Sequence, residues 1–138
     1  MADGPSGESV LALKQDLQRK AWEYISPVRS GAGLTEAQAY AGRLLDVLQH
    51  RRLRYRQRIF NREWVDALSL ANMAEVMRVT AAAALTRQES RGSHYRLEHT
   101  AMKDEWLQNI IVQQGSDGLP SISCAPIETT VLTPEVKP

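Results

Sequence analysis

The sequence predicts a mainly α fold: an antiparallel three-helix bundle followed by a short C-terminal β-hairpin. Three observations carry this prediction. Three stretches place apolar residues three or four apart, the spacing that puts them on one face of a helix. Each stretch starts at a residue whose side chain can cap a helix, namely Ser9, Thr35 and Asn61. Beyond Gly92 the helical pattern stops, and two short apolar runs flank a Gly115-Ser116-Asp117-Gly118 turn signal.

The first helix is expected from Ser9 to about Ile25, with Val10, Leu13, Leu17, Ala21 and Tyr24 on its inner face. Ser26-Pro27 ends it, because proline lacks an amide hydrogen and disfavours a helical residue before it. Ser30-Gly31-Ala32-Gly33 reads as a loop. The second helix should begin at Thr35, where Thr35-Glu36-Ala37-Gln38 matches a capping box and Leu34 sits at the staple position. Its apolar stripe is Tyr40, Leu44, Leu45 and Leu48. The arginine-crowded stretch from His50 to Arg58 either extends this helix or forms an exposed crossing segment.

Asn61 opens the third helix, whose apolar positions include Trp64, Leu68, Ala71, Val76, Val79, Ala83 and Leu85. It should run to about Glu89, roughly 40 Å at ~1.5 Å per residue. Ala81-Ala82-Ala83-Ala84 favours helix and close backbone approach. His94 to Ala101 is expected to be irregular, with one helical turn at Lys103–Trp106. Asn109–Gln113 and Ser121–Cys124 should pair as the hairpin. Two strands alone are marginal, so they must pack on the helices or on another part of a larger protein. The organisation is then a disordered start or linker over 1–8, the bundle over 9–100, and the hairpin with an extended tail packed on it over 101–138.

The 138 residues fit one domain, and a net charge of +1 sets up no global basic field to attract nucleic acid. A single cysteine, Cys124, excludes an internal disulfide, and it should pack as a small apolar residue. No apolar run approaches the roughly 20 residues of a membrane span. Arg51, Arg52, Arg54, Arg56 and Arg58, with Tyr55 among them, present either a nucleic-acid contact or a solvated face that pairs with acidic residues of a missing domain. The second reading is preferred, because no nucleic-acid motif accompanies the arginines. His50, His94 and His99, with Glu98, are too scattered to argue for a metal site. Trp22, Trp64 and Trp106 suit core or interface anchors. No Gly-x-Gly-x-x-Gly turn is present to hold a dinucleotide pyrophosphate.

The most specific stretch is Arg87-Gln88-Glu89-Ser90-Arg91-Gly92-Ser93-His94-Tyr95-Arg96. Before it stand Val28-Arg29-Ser30-Gly31, Leu34-Thr35-Glu36-Ala37, Trp64, Ala67-Leu68 and Asn72-Met73; after it stands Lys103-Asp104-Glu105-Trp106-Leu107. In this order the motifs resemble the C-terminal helical domain of succinate dehydrogenase and fumarate reductase flavoproteins, a family that includes aspartate oxidase and, more distantly, adenylylsulfate reductase. The continuation through a hairpin and the Thr129–Pro134 tail looks more like fumarate reductase or succinate dehydrogenase than aspartate oxidase. Glu98-His99-Thr100 departs from the aspartate and proline that often follow the last arginine in the family.

The resemblance implies a parent enzyme that interconverts succinate and fumarate with FAD. The flavin and dicarboxylate sites of the family lie in preceding domains, so no catalytic, cofactor-binding or metal residue is assigned in this chain. The implied partners are the flavin-binding and capping domains and an iron–sulfur subunit, with no nucleic acid and no direct membrane span. The implied location is cytoplasmic, peripheral to the inner membrane through the complex. Arg29, Glu89, Ser90, Arg91, Gly92, His94 and Arg96 are the candidates for docking the bundle on the flavin domain. Equally open at this point is that Glu89 and Arg91 tie the helix end to the hairpin. The alternative function is a free-standing helical module that docks on a separately encoded flavoprotein.

Overall fold

Three helices carry about half of the described residues, and each begins where a side chain replaces the missing backbone acceptors of a helix start. A computed structural model describes residues 8–55 and 57–128; most of the expected N-terminal linker, Arg56 and the Thr129–Pro134 tail lie outside them. Helix α1 spans Val10–Ile25, with Ser9 accepting from the Ala12 amide at 3.1 Å. Helix α3 spans Arg62–Thr86, with Asn61 accepting from the Trp64 amide at 3.0 Å. Both starts are those expected from the sequence.

Helix α2 spans Gly31–His50 and starts four residues earlier than expected. Its cap is Ser30, whose hydroxyl accepts from the Gly33 amide at 3.1 Å. Thr35 lies inside the helix and donates to the Gly31 carbonyl at 2.9 Å, so the capping-box pattern is not used. The glycines at 31 and 33 are tolerated because the helix start needs room. A side chain at 31 would meet an Arg96 guanidinium nitrogen at 3.3 Å, and one at 33 would meet the Ser30 hydroxyl at 3.1 Å and the Tyr24 ring at 3.3 Å. The arginine stretch after α2 is non-helical, which settles it as a crossing segment.

The core is built from Val10 and Leu17 of α1, Leu34, Ala37, Ala41 and Leu44 of α2, and Leu70, Ala74, Met77, Ala81 and Ala84 of α3. Leu13, Ala21, Tyr24, Tyr40, Leu45 and Leu48 pack on its edge. On α3 the expected stripe is corrected in part, since Leu85 does pack against the core. Trp64, Leu68 and Val76 are exposed, and the buried face is the one carrying the alanines. Apolar residues occupy both faces of this helix, so periodicity alone chose the outer one. The small side chains win the inner face because they let α2 and α3 approach closely.

Strand β1 (Val28–Arg29) pairs in parallel with β2 (Tyr95–Arg96), where an irregular segment was expected. The pairing rests on Tyr95 donating to the Pro27 carbonyl and Leu97 to the Arg29 carbonyl, both at 2.9 Å. A 3-10 turn at Asp104–Trp106 leads into the hairpin of β3 (Gln108–Gln114) and β4 (Pro120–Pro126), which pair antiparallel with Ile111 opposite Ser123. The hairpin lies against α3, and Arg78 donates to the Gly118 carbonyl at 2.9 Å. Cys124 is exposed on β4, contrary to the expectation that it packs inward. The mainly α bundle with a terminal hairpin is therefore the observed architecture.

Candidate docking site at the end of the third helix

Helix α3 stops at Thr86, three residues short of the expected Glu89, because the chain turns extended at Arg87. That turn leaves the last carbonyls of α3 without helical partners, and Arg96 fills the gap. Its Nη1 donates to the carbonyls of Ala84 at 2.8 Å, Arg87 at 3.2 Å and Leu85 at 3.3 Å. The residue is only 4% exposed. Its Nε pairs at 3.4 Å with Glu98, whose other oxygen accepts from the Gly31 amide at 2.8 Å. One guanidinium and one carboxylate thus join the end of α3 to the start of α2, each at the helix terminus where its charge is favourable.

Glu89 is fully buried. Its carboxylate accepts from Arg91 Nε at 2.9 Å and Nη2 at 3.1 Å, from Arg87 Nη1 at 2.7 Å, and from the Lys103 amide at 2.9 Å. Arg91 and the other donors hold it ionised, pulling its pKa from 4.5 to about 2 despite burial. Arg87 also donates to the carbonyls of Trp106 at 2.9 Å and Gln108 at 2.8 Å, and its guanidinium lies 5.5 Å from the Trp106 ring. Ser90 accepts from the Arg96 amide at 2.9 Å and donates to the His99 carbonyl at 2.7 Å. Between them, Arg91 and His94 exchange backbone bonds of 2.8 and 3.0 Å across a tight turn. Gly92 supplies the φ of +58° that the turn needs.

Arg29 closes the cluster from the other side. It donates to the Ser26 carbonyl at 2.8 Å and the Ile25 carbonyl at 3.3 Å, capping α1, and its Nη1 lies 2.6 Å from His94 Nδ1. Burial, then the Arg29 charge, lowers the His94 pKa, which fits a neutral ring accepting at Nδ1. All seven residues singled out from the sequence therefore meet in one place. Arg87, Glu98 and the Lys103 amide complete the network and were missed, although Arg87 opens the same motif.

A shallow groove of about 450 Å³ lies near this cluster, lined by Glu23, Tyr24, Val28, Ser30, Glu36 and Leu97 among others. It holds two carboxylates and no base, a poor fit for an anionic ligand. Among the described residues no cluster of His, Cys, Asp and Glu is arranged to hold a metal ion, and no helix is long and apolar enough to cross a membrane.

Comparison with known proteins decides the family, since residues 14–138 match the model described as fumarate reductase flavoprotein C-term. The chain belongs to that family. A Rickettsia bellii succinate dehydrogenase flavoprotein subunit is 28% identical over 94% of this chain and 22% of its own length. A Mycobacterium tuberculosis fumarate reductase flavoprotein subunit is 28% identical over 92% of this chain and 22% of its own length. An uncharacterised FAD-dependent oxidoreductase of Methanocaldococcus jannaschii is 32% identical over 76% of this chain and 19% of its own length. The fold matches a mutant form of E. coli quinol fumarate reductase FrdA with a TM-score of 0.84 and 22% identity, covering 96% of this chain and 23% of that one. The chain thus spans about a fifth of the length of the curated relatives it matches.

A flavin pyrophosphate is commonly held by open amides at a helix N-terminus. Here Ser9, Ser30 and Asn61 cap the three helices from within, and Glu98 already places a carboxylate on the first amide of α2. The chain is a C-terminal domain of fumarate reductase and succinate dehydrogenase flavoproteins.

Proposed function

We propose that this chain is the structural and docking domain of a flavoprotein that interconverts succinate and fumarate with FAD bound elsewhere. The match of residues 14–138 to the family is the observation that carries this reading. The bond pattern supports the division of labour. Glu89, Ser90 and Arg96 direct their hydrogen bonds to the end of this domain's third helix and the segment that follows it. Arg29, Glu89, Ser90, Arg91, Gly92, His94 and Arg96 serve docking by fixing the shape of one end of the domain. The docked partners are the flavin-binding and capping domains, with electrons passing to an iron–sulfur subunit. The complex works on the cytoplasmic side of the inner membrane.

Immunoprecipitation with an antibody to this domain, followed by a dye-linked assay, tests the reading. The precipitate should oxidise succinate or reduce fumarate, and competition by malonate should abolish the activity. A precipitate that carries flavin but is inert to both dicarboxylates would reject the reaction assigned here.

A further inference from the structure

One residue of the crossing segment combines a strained backbone with a ring left wholly in solvent. Phe60 has φ +55° and is 100% exposed. A bulky residue in the left-handed region is a backbone outlier, and such strain persists where the surroundings enforce it. Here the enforcement is visible. Asn61 caps α3 with its side-chain oxygen, while its Nδ2 donates to the carbonyls of Tyr55 and Gln57, each at 2.8 Å. Glu63 accepts from the amides of Arg54 at 2.8 Å and Tyr55 at 3.4 Å. The loop is thus tied down on both flanks of an outward-pointing ring.

The ring does not stand alone. Ile59 beside it and Tyr55 before it are exposed. On α3, Trp64, Val65, Leu68 and Val76 are exposed too. At about 100° per residue they fall within about a third of the helix circumference, roughly opposite the core face of Leu70, Ala74 and Met77. A helix that is apolar on both faces belongs between two layers, and the hairpin that packs on α3 leaves these four residues exposed. The exposed Arg52, Arg54, Arg58 and Arg62 flank Phe60 along the chain.

The geometry points to Phe60 as the anchor of an interface, with the outer face of α3 beside it, seated on the flavin-binding part of the flavoprotein. This rests on the domain assignment above. The matched relatives are about five times the length of the region they share with this chain, so a large protein partner of known kind is at hand to cover the face. The flanking arginines give that partner a stated chemistry: an apolar pocket for one aromatic ring, rimmed by carboxylates. A central aromatic with charged residues at the rim is the usual anatomy of a protein interface.

The test replaces Phe60 by p-benzoylphenylalanine in the source cells, followed by irradiation, native purification and peptide mapping. In parallel, Phe60→Cys and Gln18→Cys, each in a Cys124→Ser background, are labelled with a maleimide in the native molecule. Both sites are exposed in this domain alone, so folding is not at stake. The expected result is a cross-link to a peptide of the flavin-binding part, and labelling at position 60 at least about tenfold slower than at position 18. A cross-link to a second copy of this chain, or to lipid, overturns the inference. So does equal labelling at both positions in a preparation that retains flavin, and in that case the domain assignment survives. A native molecule containing neither flavin nor any flavoprotein sequence overturns the assignment and the inference with it.

Discussion

Replacing Glu89 by glutamine removes one charge and almost no volume, which isolates the electrostatics of the turn. A pKa lowered from 4.5 to about 2 corresponds to about 3 kcal/mol in favour of the folded, ionised form. Arg91 reaches the surface, so solvent screening reduces this to roughly 2 kcal/mol. The amide of Glu89→Gln then turns an N–H group toward guanidinium donors, and breaking one side of a buried ion cluster typically costs about 3–5 kcal/mol. The expected loss is therefore roughly 2–4 kcal/mol at neutral pH. Urea unfolding followed by circular dichroism reads it as a fall in midpoint of about 1–2 M, using a slope of ~2 kcal/mol per M. The pH dependence gives a second, independent check. Folding lowers this carboxyl, so its contribution is fully present above the unfolded value of 4.5 and is lost as the pH falls toward about 2. The gap between wild type and Glu89→Gln should therefore be full at neutral pH and close progressively through that acid window. A gap below ~0.5 kcal/mol, or one that stays constant on acidification, would refute the reasoning.

Arg96→Lys keeps the charge but replaces a planar fork by a point donor, so the carbonyls of Ala84, Leu85 and Arg87 lose shared coverage. A loss of roughly 2 kcal/mol in chemical denaturation is expected, with faster amide exchange in the last turn of α3. Asn61→Ala removes a helix cap and both Nδ2 bonds to the crossing segment. It should cost about 1–3 kcal/mol and open the 51–60 segment to protease, whereas Asn61→Asp should keep the cap and still lose the loop bonds. Gly92→Ala imposes a side chain at φ +58° in otherwise open space, so a pure backbone cost of about 1 kcal/mol is expected from thermal or urea unfolding.

The parts of the fold that were legible in sequence are those fixed by local chemistry. Ser9 and Asn61 announce helix starts because a hydroxyl or amide oxygen beside an apolar run has few other uses. The hairpin follows from alternation around Gly115–Gly118. The start of α2 was hidden because Ser30 and Thr35 both offer a hydroxyl at the right spacing. The choice fell to Ser30 through a long-range contact, Glu98 on the Gly31 amide. The face of α3 was misread for a related reason. Periodicity measures apolar residues, and this helix has them on both sides, so only packing against α2 selects the alanines. The parallel pairing of Val28–Arg29 with Tyr95–Arg96 joins segments too short and too distant to carry any local signal. The Glu89–Arg96 motif was found because its residue types are unusual together. Its inward wiring was not legible, since a buried carboxylate and an exposed one are written with the same letter.

The central claim is that this chain serves a larger flavoprotein. The most direct test is the size of the polypeptide, or native assembly, that an antibody to this domain detects in the source cells, together with its flavin content. The expected finding is either one polypeptide several times longer than 138 residues, or this chain held in an assembly with a flavoprotein, with the flavin absorbance band in either case. A single species of this chain's own size, colourless and without a flavoprotein partner, would contradict it.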